Sequence, residues 1–537
     1  MFFMKPDALV MDLRKERSPL ETQGARKRFL INVSSNAALL SAQVGVTLWL
    51  TPFLIGHLGI AAFGMVLLVN SLVSYMSFLS NALDSVINRF LAIDLNTGDT
   101  FAANKTFNTA LFGIVGIILV LFPLVFAISL AFPNLFHVPL GWENDARLLL
   151  FLAAFAFFIQ LIGSVFVVSP FVHSKFLLKN TGDLAGLFAR ISFILIMFSL
   201  LRPHMWYAGG GMLVGVVVAL FGYIIVWRKL TPELHIQITA FDRSLLPDFV
   251  GMGGWVIVNS VGVILLSRVD LIVVNAYFGA ALTGGYGAVA QFSLFMGYLV
   301  NALGSVMRPV VLTKYAQRDF VGLQSLGSQG VKLFGLVLAL PVGLLCGFSR
   351  PILSVWLGPS YEYLSILLVL IVCHQSLNLS VRPLSQIQNA YNKVRWPGIA
   401  TLLSGGVSLG LGVLLAMWGR WGAAGVAVAV GVTWTAKNAV YMPIYTACIM
   451  KLPWWTFLPR LGCSIIGTLF VGMVSFGFTF IQMPNSLLTL AGFFAVVSLL
   501  YAVLVWAIGL TPVDRQLVKS LSPLQITKIR ASYRQES

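Results

Sequence analysis

Ser80 to Arg89 reads SNALDSVINR, and Val300 to Pro309 reads VNALGSVMRP. Asn81, Ala82, Leu83, Ser85 and Val86 therefore recur in register 220 residues further on. At the same offset Gly59 answers Gly279, Gly64 answers Gly284, Met76 answers Met296 and Asp99 answers Asp319. A weaker pair, Ser169-Pro170 with Arg382-Pro383, ends a span in each half. Chance can supply one short match, but not a match embedded in apolar runs that superimpose on both sides. The chain is read as an internal duplication.

Those apolar runs fix the solvent. Of 537 residues, 58% are hydrophobic and 10% charged, with a mean hydropathy of +0.90, outside the mix of a water-soluble domain. Runs near the roughly 20 residues needed to cross a bilayer fall at 29–54, 60–88, 107–130, 148–170, 184–202, 206–227, 249–277, 283–307, 331–349, 361–381, 396–418, 422–446, 459–481 and 486–509. They are long and lack the alternation of barrel strands, so they are expected as helices that satisfy their own backbone groups in lipid.

The expected fold is all-α and polytopic, with about fourteen transmembrane helices. Two pseudo-symmetric six-helix lobes, 29–230 and 249–450, are joined by a linker at 231–248 and followed by two further spans within 451–510. Basic segments occupy 1–28 and 511–537. An even number of spans per lobe puts the two repeats in the same orientation, related by an axis along the membrane normal.

With the N-terminus inside, nearly every loop Lys and Arg falls on the cytoplasmic side. Only Arg147, Arg202, Arg350 and Arg420 lie outside. The formal charge of +17 thus follows the positive-inside rule rather than nucleic-acid binding, and both termini are expected in the cytoplasm. Residues 1–28 carry charges throughout and no small-residue cleavage pattern, so no cleaved signal peptide is expected. Cys346, Cys373, Cys448 and Cys463 have no metal-ligand spacing and read as small buried hydrophobes.

Span 2 carries Asn70, Ser74, Ser77, Asn81, Asp84 and Asn88 at steps of four and three, on one helical face. Its repeat partner, span 8, presents Gln291, Tyr298, Asn301, Ser305 and Arg308 in the same way. Span 1 adds Asn32, Asn36, Gln43 and Thr47, and span 10 adds His374, Asn378 and Arg382. Such stripes either hold helices together, at about 0.6 kcal/mol per interhelical bond, or line an aqueous cleft. Their pairing across the two halves favours the cleft.

Charges within spans cost roughly 2.5 to 3.5 kcal/mol each at a helix centre, so Arg268, Asp270 and Lys437 each require compensation. Arg268 and Asp270 point about 200° apart on an ideal helix and are not expected to pair. Arg190, Asp84, Arg308 and Arg382 lie near inner helix ends, where they either snorkel to the interface or face the cleft. Together Arg190, Arg268, Lys437, Arg89, Arg308 and Arg382 outnumber Asp84 and Asp270, a bias suited to an anion such as phosphate. There is no Walker A sequence, no HExxH and no nucleophile constellation, so an enzyme is not expected.

The stretches TPFLIGHLGIAAFG (Thr51 to Gly64), RVDLIVVNAYFGAALTGGYGAVAQF (Arg268 to Phe292) and QNAYNKVRWP (Gln388 to Pro397) give the chain a family likeness. It resembles the polysaccharide-transporter branch, which includes the O-antigen flippases, of the multidrug/oligosaccharidyl-lipid/polysaccharide exporter superfamily. The resemblance covers about Phe29 to Leu510. It implies a flippase that carries undecaprenyl-pyrophosphate-linked oligosaccharide from the inner to the outer leaflet of the bacterial cytoplasmic (inner) membrane by alternating access. No cofactor is implied, and the implied partners are membrane lipid and the polysaccharide polymerase and chain-length machinery. Arg268 and Lys437 are the expected ligand contacts, with Arg89, Arg308 and Arg382 gathering the anion at the cytoplasmic mouth. Asp84 or Asp270 is the expected site of coupling to a proton or sodium gradient or to the membrane potential. A lipid II flippase and a multidrug cation antiporter would share the architecture. The first span, however, has Asn32, Asn36 and Gln43 in place of arginines, and the cavity's charge bias disfavours a cationic drug. A non-transporting scaffold remains the alternative of another class.

Overall fold

The computed structural model describes residues 19–173 and 175–511, and every regular element among them is helical. Most of the segment expected at 1–28, and nearly all of the tail expected at 511–537, lie outside the described residues.

The first lobe comprises α1 (Pro19–Leu58), α2 (Ile60–Tyr75), α3 (Ser77–Thr97), α4 (Thr100–Leu135), α5 (Glu143–Val172), α6 (Phe176–Leu200) and α7 (Trp206–Leu230), with α2 and α3 forming one span. The second comprises α8 (Leu246–Ala316), α9 (Phe320–Gly347), α10 (Ser349–Trp356), then α11 (Ser365–Val372), α12 (Gln375–Ser380) and α13 (Arg382–Ala390) as one broken span. It ends with α14 (Arg395–Met417), α15 (Gly422–Thr435) and α16 (Met442–Ile449). Two more helices, α17 (Gly462–Ile481) and α18 (Leu487–Leu504), follow.

Among the described residues twelve segments are long and apolar enough to cross a membrane. One of them, Val269–Gly304, is two helices. Gly279 interrupts α8 at φ 79°, ψ 179°, and a β-carbon on Gly287 would lie 3.2 Å from a methyl of Leu271, so the halves of α8 run back along each other. Residues 422–449 form a further continuous helix, interrupted only by a π turn at Ala436–Tyr441. Counting both gives fourteen spans among the described residues.

The duplication reappears as matched geometry. Gly59 turns α1 into α2 at φ 79°, ψ 162°, as Gly279 turns one half of α8 into the other. The left-handed positive φ at both is a conformation that only glycine adopts without a steric penalty. At the opposite end, Asp99 caps α4 by accepting from the Ala102 N–H at 2.9 Å, and Asp319 caps α9 by accepting from the Gly322 N–H at 2.7 Å. The residues before them, Gly98 and Arg318, both take positive φ (78° and 58°).

The lobes meet mainly where α2 and α3 pack along α8. At the end marked by the Gly59 and Gly279 turns, Gly64 faces Gly284: a β-carbon on Gly64 would stand 2.6 Å from the Gly284 nitrogen, and one on Gly284 would overlap the Ile60 carbonyl. Two reciprocal arms close this same end. The α4–α5 loop of the first lobe sends His137 to Asn275 of α8, whose buried amide oxygen accepts the His137 backbone N–H at 3.1 Å. From the second lobe, the Trp356 indole N–H reaches the Leu48 carbonyl of α1 at 2.7 Å.

At the other end the linker lies along α4 of the first lobe. Asn108 donates to the His235 carbonyl at 2.8 Å and accepts the Gln237 N–H at 2.8 Å, while Thr109 accepts the Asp242 N–H at 2.9 Å. Helices α17 and α18 pack outside the second lobe: Thr468 donates to Ser376 at 2.7 Å and Tyr501 to the Leu336 carbonyl at 2.9 Å.

Candidate functional site

Between the lobes lies a cleft of about 600 Å³. Helix α1 contributes Gln43, Thr47 and Thr51, α2 contributes Asn70, and α6 contributes Arg190. Opposite them stand Asp270, Tyr286, Gln291, Tyr298 and Asn301 of α8, His374 and Gln375 of the broken span, and Trp434 of α15. The step-of-seven and step-of-three spacing along span 8 explains why Gln291, Tyr298 and Asn301 share this wall.

A side pocket of about 140 Å³ adjoins the cleft, sharing Leu379 and Trp434 with it. It is lined by Asn378, Arg382, Ser385, Thr401, Lys437 and Asn438 among others. Two departures from regular helix build it. Residues Cys373–His374 and Val381 break the span into α11, α12 and α13, and the π turn Ala436–Tyr441 carries Lys437 and Asn438. Irregular backbone at membrane depth is tolerated where it lines a cavity or is buried in protein, and π turns concentrate at functional sites.

The polar groups here are incompletely satisfied. Thr51 lies 3.1 Å from Gln291 Oε1 and Gln375 donates to Ser293 at 2.6 Å, yet Gln291 Nε2, Arg190 Nε and Asn378 Oδ1 are buried without a hydrogen-bond partner. Asn378 Nδ2 meets His374 Nδ1 at 2.9 Å and Thr435 Oγ1 at 3.1 Å, which fixes its orientation. Arg382 donates to Asn301 at 3.1 Å, tying the side pocket to the cleft wall. Among the described residues neither Arg190 nor Lys437 has an ion-pair partner. A buried polar atom left unpaired costs about 1–3 kcal/mol, so three of them in residues that line these adjoining cavities mark a candidate ligand-binding surface.

Of the residues singled out in the sequence, Gln43, Asn70, Arg190, Asp270, Gln291, Asn301 and His374 line the cleft, and Asn378, Arg382 and Lys437 line the side pocket. Others face elsewhere. Asn36 accepts from Asn180 of α6 at 2.6 Å, and Asn81 reaches Ser260 at 3.5 Å across the lobes. Asp84 turns toward Ser164 of α5, while Arg89 and Arg308 are exposed and line neither cavity. The side chain of Arg268 lies outside the described residues. Thr51, Tyr286, Ser293, Gln375 and Trp434 are added by the structure. Tyr286 lies against the Asp270 carboxylate, a pairing across the Gly279 turn that a linear reading does not reveal.

Over 81% of its length the chain superimposes on an inward-facing multidrug resistance MATE transporter of the MOP superfamily, with 96% of that protein covered, a TM-score of 0.58 and 14% identity. The chain has the MOP-superfamily fold. It also superimposes on the lipid II flippase MurJ in an inward closed conformation, at a TM-score of 0.57 and 15% identity, covering 86% of this chain and 98% of MurJ. In sequence it is similar to the uncharacterised membrane protein EpsK of Bacillus subtilis, 29% identical over 491 residues that span 91% of this chain and 97% of EpsK. No protein-family model matches the chain.

Proposed function

We propose that this protein is a flippase that moves undecaprenyl-pyrophosphate-linked oligosaccharide units from the inner to the outer leaflet of a bacterial cytoplasmic membrane. The observation that carries the reading is the polar cleft between two related lobes and its adjoining side pocket, whose cations Arg190 and Lys437 lack ion-pair partners among the described residues. Stripping a pyrophosphate and its sugars of water is prohibitive without replacement polar contacts, and the cleft and side pocket together provide amides, hydroxyls and cations at membrane depth.

The end closed by Gly64, Gly284 and the two arms faces away from the basic loops, so by the positive-inside rule the cleft belongs to a state closed on the outer side. Rocking of the two lobes about their common axis would break those contacts and close the basic end. Asp270, facing the cleft beside Tyr286, is the preferred coupling residue over Asp84, which turns into the first lobe. The likeness to the lipid II flippase MurJ supports a lipid-linked glycan as cargo, and the cationic side pocket supports a phosphorylated cargo over a cationic drug.

The test is flipping of a fluorescent lipid-linked oligosaccharide in proteoliposomes containing wild type, Arg190→Ala or Lys437→Ala at matched reconstitution. Each substitution is expected to lower the rate about tenfold or more, as loss of a charge-assisted contact does. Wild-type rates in both would remove the cationic site from the mechanism.

A further inference from the structure

The two cavities differ in charge. Among the described residues, the cleft lining carries one cation, Arg190, and one carboxylate, Asp270. Among the same residues, the side pocket carries two cations, Arg382 and Lys437, and no carboxylate. Like charges held in one pocket repel, and Lys437 has no hydrogen bond or ion pair among the described residues to offset this. Arg382 uses one N–H on Asn301, leaving other edges of its guanidinium fork open for bidentate oxygen recognition.

Both cations are set by backbone irregularity. Arg382 opens α13 directly after the non-helical Val381 (φ −78°, ψ 0°), and Lys437 rides the π turn. Beside them, Asn378 is 1% exposed and its Oδ1 has no donor. An anion offers no hydrogen to that oxygen; a hydroxyl next to the anion does.

We propose that the side pocket is a phosphate subsite distinct from the cleft, in which Lys437 and Arg382 hold the phosphate of a glycosyl phosphate and Asn378 accepts a hydroxyl of the first sugar. The remaining sugars occupy the cleft, where Gln291 Nε2 and Arg190 Nε await oxygen acceptors. This division rests on the transport reading for its physiological cargo, but the subsite is testable without it.

The full-length protein in nanodiscs is titrated with inorganic pyrophosphate by calorimetry. Lys437→Met and Arg382→Gln are each expected to weaken binding about tenfold, the effect of losing one charge-assisted contact. Lys437→Arg is expected to bind within a few-fold of wild type, and Arg190→Gln to keep its pyrophosphate affinity while flipping slows. If Lys437→Met does not fold, Arg382→Gln, whose side chain is exposed to the pocket, decides the question. Retained affinity in Arg382→Gln and Lys437→Met, loss in Arg190→Gln instead, or no saturable binding by wild type at millimolar pyrophosphate would each overturn the subsite. Flipping of lipid-linked oligosaccharide is scored separately on the same samples. Flipping without pyrophosphate binding leaves the transport reading standing and the subsite refuted; binding without flipping does the reverse.

Discussion

The Trp356 indole N–H of the second lobe donates to the Leu48 carbonyl of the first, the carbonyl whose in-helix partner would be the N–H that Pro52 lacks. A proline inside α1 thus exposes a backbone acceptor at the lobe interface, and the other lobe satisfies it. Trp356→Phe keeps an aromatic ring against Phe292, now 5.1 Å away, but orphans the carbonyl, at a cost of about 1–3 kcal/mol. The state closed at this end should lose population accordingly. A cysteine at Phe63, buried in the cleft wall, should then label roughly tenfold faster with an impermeant thiol reagent from that side. Unchanged labelling would show that the bond does not hold the lobes together.

Gly64 and Gly284 test the same closure by bulk rather than by bonding. A β-carbon at either meets backbone of the other lobe, which no side-chain rotation relieves. Gly64→Val and Gly284→Val should therefore hold this end apart and lower flipping about tenfold or more, because overpacking costs roughly 1–3 kcal/mol. Gly59→Ala, with open space around its Cβ but φ at 79°, should cost about 1–2 kcal/mol of local strain while leaving the lobes free to meet. Equal flipping by Gly64→Val and wild type would show that the two glycines do not come together during the cycle.

The duplication was legible because its signals are local. Gly59 and Gly279 mark turns, Asp99 and Asp319 mark caps, and the stripe through Gln291, Tyr298 and Asn301 follows helical spacing. Lys437 was legible as an intramembrane charge, but its placement depends on a π turn, for which 422–449 gives no composition signal. The directions of Arg89, Arg308 and Asp84 were not legible either. A polar residue on a striped helix faces the cleft only if the helix keeps its rotation, and α3 turns Asp84 toward Ser164. The arms through His137 and Trp356 join residues far apart in the chain and carry no motif.

Among groups outside the spans, Asp319 carries a pH signature. The Lys314 ammonium at 2.7 Å, then the Gly322 N–H, hold its carboxyl below the usual carboxylate range. Its folded pKa is depressed, so its contribution to stability is whole above the unfolded value of about 4 and is lost as pH falls through the folded value. The melting temperature of purified protein should drop on acidification below that value. Asp319→Asn should lower stability at neutral pH and flatten the acid limb. An acid limb identical to wild type would assign it to other carboxylates, such as Asp242, held low by Ser244 and Lys105.

Gln291 separates binding from folding. Its side chain is 4% exposed, and its Nε2 has no partner while Oε1 lies 3.1 Å from the Thr51 hydroxyl. Thr51 also lies 2.8 Å from the Thr47 carbonyl, so it keeps an acceptor when Gln291 is replaced. Gln291→Met removes a desolvated, unpaired donor worth about 1–3 kcal/mol against folding and forfeits one neutral hydrogen bond worth about 0.5–1.5 kcal/mol. The variant should melt at the wild-type temperature or somewhat above it, yet flip lipid-linked oligosaccharide several-fold more slowly, because the donor proposed for a ligand oxygen is gone. This is the trade expected of a residue kept for function rather than for packing. A variant that melts lower and flips as wild type would place Gln291 among the residues that hold α1 to α8, and would move the ligand away from this wall of the cleft.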